Sequence, residues 1–93
     1  MSALITPIAV PLDARGVRPR RYAVETTGRD DVLVRVLALL RRRGCRIVAV
    51  YFHEADLHRP QRLELAVDAP ARIEHALESW LLGLVDVIAV SSQ

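Results

Sequence analysis

Between Arg20 and Val90 the spacing of apolar residues switches repeatedly between two and three-to-four, and this succession constrains the fold more than any other feature of the chain. Tyr22, Val24 and Thr26 alternate with Arg21, Ala23 and Glu25, as in a strand. A polar loop, Thr27–Asp31, follows. Leu33, Val36, Leu37 and Leu40 then recur at i, i+3, i+4 and i+7, the apolar face of an amphipathic helix that Gly44 should end. Arg46–His53 reads as a second strand, and Leu63, Leu65 and Val67 alternate with Arg62, Glu64 and Ala66 in a third. Pro70 opens a second helix with Ile73, Ala76, Leu77, Trp80, Leu81 and Leu84 on its apolar face, and Val85–Val90 is the last strand. The order strand–helix–strand–strand–helix–strand predicts an α+β, ferredoxin-like βαββαβ sandwich: a four-stranded antiparallel sheet with two helices on one face. Right-handed crossovers give the spatial order 4-1-3-2, with the second and fourth strands at the edges.

The length, 93 residues, suits one small domain, and 52% hydrophobic with 26% charged residues is a globular composition. Pro7, Pro11, Gly16 and Pro19 break up residues 1–19, which read as a tail that is partly disordered or extended, leaving residues 20–93 as the domain. All thirteen basic residues are arginine, yet the net charge is only +2. The one dense run, Arg41–Arg42–Arg43, falls where a helix ends and complements its dipole. Nucleic-acid binding is therefore not expected. The single cysteine, Cys45, follows the helix stop and enters an apolar run, as a buried free thiol would. No basic stretch precedes the apolar residues near the N-terminus, Pro7 and Pro11 interrupt them, and no apolar run reaches membrane-spanning length. A cytoplasmic protein without membrane attachment is the expectation.

The second strand carries apolar residues on both faces. Val48, Val50 and Phe52 point one way, and Ile47, Ala49 and Tyr51 the other. An edge strand of this kind invites pairing, so a homodimer through Val48, Val50 and Phe52 is expected.

No catalytic constellation can be assembled. There is no GxSxG, no glycine-rich phosphate loop and no CxxC. His53, Glu54, Asp56 and His58 are of metal-ligand type, but a solvated hairpin loop accounts for them, and no metal site is assigned. An RNA-recognition module of this fold would stack bases on aromatic residues of its central strands; the third strand has none and the first only Tyr22.

Three segments carry a family resemblance. Arg35–Gly44, with its arginine-valine pair and arginine-glycine stop, resembles the first helix of an ACT domain, and Cys45–Val50 continues as its second strand. Leu84–Val90, with its leucine-valine-aspartate-valine string, resembles the last strand of the small subunit of acetolactate (acetohydroxyacid) synthase. The short, valine-insensitive type is the more similar, since the chain has room for little beyond one ACT domain.

That resemblance implies a non-catalytic regulatory subunit that binds and activates a large subunit in branched-chain amino-acid biosynthesis. Thiamine diphosphate, magnesium and FAD would belong to the large subunit, and this chain would hold no cofactor. It also implies an effector loop at Thr27, Gly28, Arg29, Asp30 and Asp31, with Arg46 as a further position. Valine-sensitive members place an asparagine and a glycine at the positions of Gly28 and Asp31, and a second asparagine at Arg46. Asp31 would repel a ligand carboxylate, so valine feedback is not expected. Trp80, where the family tends to have a polar residue, and Leu82 on the outer side of the same helix are candidates for a partner surface. The other function this pattern admits is a free-standing ACT domain that senses an amino acid or another small ligand and regulates a different enzyme or transcription factor.

Overall fold

A computed structural model describes residues 19–29 and 31–92. The expectations for the tail before Pro19 and for Asp30 lie outside the described residues. The elements are β1 (Arg20–Thr26), α1 (Val32–Arg42), β2 (Arg46–His53), β3 (Gln61–Asp68), a 3-10 segment (Ala71–Ala76) running into α2 (Leu77–Leu82), and β4 (Val87–Ser92). The strands form one antiparallel sheet in the order β2-β3-β1-β4, the α+β ferredoxin-like topology read from the pattern.

Alternation along the two central strands sets the core. Tyr22 and Val24 of β1 and Leu63, Leu65 and Val67 of β3 are buried on one face, together with Val32, Val36, Leu39 and Leu40 of α1 and Leu77 and Leu81 of α2. The buried stripe of α1 is rotated from the one expected. Val36 and Leu40 are common to both, but Leu33 and Leu37 are only half-buried, while Val32 and Leu39 are inside. Two overlapping i, i+4 rows were available, and packing chose between them. Val24 and Leu63 lie directly opposite one another, as do Tyr22 and Leu65, so each central pair buries its side chains jointly.

The end of α1 follows its sequence closely. Gly44 adopts φ +83°, its N–H donates to the Arg41 carbonyl at 3.1 Å, and the Cys45 N–H donates to the Leu40 carbonyl at 2.9 Å. These two bonds are the Schellman pair, and Leu40 and Cys45 share the core, supplying the apolar contact that accompanies the motif. Cys45 is the buried free thiol expected. Burial first, then the Asp68 carboxylate, raise its pKa, so the unreactive thiol form is favoured.

Two strand details differ from the sequence reading. The β2–β3 register shifts between Ile47 and Ala49, which pairs Ile47 with Val67 and turns it to the helix side instead of the side of Ala49 and Tyr51. β4 begins at Val87, not Val85: Asp86 stands at φ 72° in the preceding turn, Val85 is exposed, and the strand gains Ser91 and Ser92 opposite Ala23 and Tyr22. No described helix is long and apolar enough to cross a membrane.

Candidate functional site

The β1–α1 loop is tied to the turn before β4. The Thr27 N–H donates to the Asp86 carbonyl at 2.9 Å, and the Gly28 N–H to Thr26 Oγ1 at 3.1 Å, with Gly28 at φ +88°. The Asp86 carboxylate accepts from Arg35 at 3.1 Å and lies 3.5 Å from Arg29 Nε. Arg35 also donates to Asp31 Oδ1 and to the Val85 carbonyl, each at 3.1 Å. The bond to Asp31, reinforced by Asp86, raises the pKa of Arg35. Asp31 occupies the N-cap position of α1 without a side-chain cap bond, its carboxylate turned to Arg35. Arg29 and Arg35 are thus both paired with carboxylates of this cluster, Asp31 and Asp86, although Arg35 Nε is buried without a partner.

Arg46 is not brought to the loop. It stands opposite Asp68 at the start of β2, with Nε 3.9 Å from that carboxylate, at the end of the sheet where β1 begins. Thr27 follows the other end of β1, roughly 20 Å away at about 3.3 Å per residue. Within one chain, then, Thr27 and Arg29 contact Asp86 directly, Asp31 is joined to it through Arg35, Gly28 bonds back to Thr26, and Arg46 does not join them. The hub role of Asp86 was not foreseen. Its signal in the sequence was an aspartate between two apolar residues just before a strand, a position that tolerates a left-handed turn.

The β2 edge is the second candidate. Val50, Tyr51 and Phe52 are 40%, 45% and 44% exposed, whereas Val48, at the register shift, is half-buried. Val50 and Phe52 lie opposite the core residues Leu65 and Leu63, on the helix side, and Tyr51 lies opposite Glu64 on the open face. The apolar character therefore continues onto both faces at an edge with no described neighbour. On the open face His53 Nε2 lies 2.7 Å from the buried Glu64 carboxylate, and the His53 ring packs 4.3 Å from Tyr51. Asp56 Oδ1 accepts the N–H groups of His58 and Arg59, which makes the 54–60 segment a self-closed turn. A hollow of about 730 Å³ under this turn is lined by Glu25, His53, Glu54, Arg59 and Arg62 among others, a mixed-charge lining that selects no ligand chemistry.

Trp80 is half-buried against the core, with the Arg43 guanidinium 4.2 Å over its ring. Leu82 is 51% exposed. Two helix positions apart, the side chains diverge by about 200° and do not form one patch. The tryptophan's outward neighbour is Arg43.

These features define a small α+β protein of ferredoxin-like fold, with an apolar free edge and a charge-paired loop cluster. No protein-family model matches the chain, and no curated protein matches its sequence.

Proposed function

We propose that this chain is a non-catalytic regulatory module of ACT type that works as a homodimer and activates the large subunit of an acetolactate synthase. The observation that carries the reading is the β2 edge, where Val50, Tyr51 and Phe52 stand exposed in a row on a sheet of the required topology. A small domain that leaves such an edge free gains from covering it with a second chain. The named partner rests on the resemblance of Arg35–Gly44 and Leu84–Val90. The loop geometry supports a valine-insensitive type. A ligand carboxylate would need unpaired cations at Thr27–Asp31, and Arg29 is drawn to Asp86 while Arg46 lies with Asp68.

Two measurements test this. Sedimentation at micromolar concentration should give twice the chain mass of 10.4 kDa. Co-purification with a thiamine-diphosphate-dependent large subunit should raise acetolactate formation over that of the large subunit alone, and the chain by itself should form none. Unchanged activity with a bound small chain, or acetolactate formed by the chain alone, removes the regulatory reading. Calorimetric titration with valine should show no binding tighter than about 0.1 mM, roughly −5.5 kcal/mol.

A further inference from the structure

The open face of the sheet, turned away from the helices, is buried at its centre, although no described helix or strand lies over it. Ala66 is 1% exposed, and Ala23 and Glu64 are 6% each. Glu64 stands opposite Ala23, and Ala66 stands between Arg21 on β1 and Ala49 on β2. His53 screens Glu64 from the β2 side, but no described element stands above the two alanines. The burial is lopsided. On β4, Ala89 and Ser91 face the same way, opposite Glu25 and Ala23, and both are exposed. Burial deepens instead toward the start of β1, where Pro19 is buried and by alternation continues the row of Arg21 and Ala23.

The chain reaches β1 from this end. Residues 1–18 lie outside the described residues, and their sequence suits a cover for such a face. Asp13 and Gly16 stand at the first and fourth places of a type I turn, which would send the preceding chain back over the sheet. Before that turn Ile8, Val10 and Leu12 alternate with Ala9 and Pro11, so an extended run presents three branched apolar side chains to one side. The small side chains of Ala23 and Ala66 leave a shallow trough in which such groups can sit. Pro7 and Pro11 have no N–H to give to a ladder, which disfavours a fifth strand at either edge and suits a segment crossing a face. Length is sufficient as well: at about 3.3 Å per residue, the nine residues from Leu4 to Leu12 span about 30 Å, more than the length of β1.

We propose that the chain's own N-terminal segment crosses the open face of the sheet and seats Ile8, Val10 and Leu12 over Ala66 and Ala23. The segment closes that face to other chains and leaves the β2 edge and the helix layer as the surfaces a partner can use. The proposal does not depend on the identity of that partner.

The test uses the full chain with Cys45→Ala, which removes the one native thiol. A cysteine is placed by Ala23→Cys or, as a reference on the same face, by Ser91→Cys, and its reaction with an aromatic disulfide is timed. Ala23→Cys should react at least about tenfold more slowly than Ser91→Cys, because the segment must first lift away. Adding Val10→Asp and Leu12→Asp should speed the reaction of Ala23→Cys about tenfold and leave Ser91→Cys unchanged. Circular dichroism checks each fold. A rate at Ala23→Cys that ignores the two aspartates overturns the proposal. A second measurement leaves the face unaltered: a nitroxide on Ala9→Cys should broaden the amide signals of Ala23 and Ala66 and spare that of exposed Val34 on α1. Broadening on the helix side, or nowhere on the sheet, also overturns it. So does broadening that passes to a spin-free, isotope-labelled copy mixed into the sample, which would assign the cover to a second chain.

Discussion

The glycines that flank the two helices should respond to alanine with opposite signs. Gly44 stands at φ +83°, and a Cβ placed there would meet only Pro70 Cγ, at 4.0 Å, an ordinary contact. Gly44→Ala therefore carries no steric clash, and its cost is conformational. Holding an L-residue in the left-handed region costs about 1–2 kcal/mol. Alanine returns about 0.5 kcal/mol by restricting the unfolded chain. The net loss is about 1 kcal/mol, or roughly 4–8 °C in Tm for a domain of this size. Gly83 closes α2 with φ −76° and ψ −9°, and its Cβ would rest 3.6 Å from the Ser79 and Trp80 carbonyl oxygens. Alanine fits there without strain, so Gly83→Ala should be neutral or stabilising by about 0.4–1 kcal/mol. Urea unfolding of both variants, followed by circular dichroism with a shared m-value, measures the two differences. Gly44→Asn should recover part of the loss, since asparagine enters the left-handed region more readily than alanine. Equal effects of alanine at the two positions, or a Gly44→Ala protein as stable as the parent, would refute the assignment of the α1 stop to a left-handed cap.

Three further outcomes follow from buried groups. Thr26 Oγ1 donates to Gln61 Oε1 at 2.8 Å and accepts the Gly28 N–H, so Thr26→Val should cost about 1–3 kcal/mol by leaving buried Gln61 unsatisfied; an unchanged urea midpoint would count against that pair. Trp80→Ala should cost about 2–3 kcal/mol, below the roughly 3–5 kcal/mol of a fully buried aromatic, and a double-mutant cycle with Arg43→Ala should return a coupling of about 0.5–1 kcal/mol. Alkaline solution should destabilise the fold: burial raises the pKa of Cys45 above 9.0 and that of Tyr22 above 10.0, so the unfolded chain ionises first and pulls the equilibrium toward itself as pH rises past those values. The chain has no lysine to add to that titration, so urea midpoints between pH 7 and 10.5 should fall for the parent and stay flatter for a Cys45→Ala, Tyr22→Phe variant.

Local pattern alone was enough to place β1, α1, β2 and β3, because alternation, helical spacing and the Gly44 stop act through near neighbours. It was also enough for the strand order, because only one handed path joins those elements into a single sheet. What it could not carry was decided by contacts between residues far apart in the chain. The register shift at Val48 depends on how β2 meets β3, and it alone turns Ile47 inward. The choice of Val32 and Leu39 over Leu33 and Leu37 depends on how α1 settles against the sheet and α2. Asp86 becomes a hub only because the turn before β4 comes to lie beside the loop after β1, within reach of Arg29 and Arg35. Arg46 is parted from that loop for the same reason: consecutive elements of an antiparallel sheet place successive loops at opposite ends.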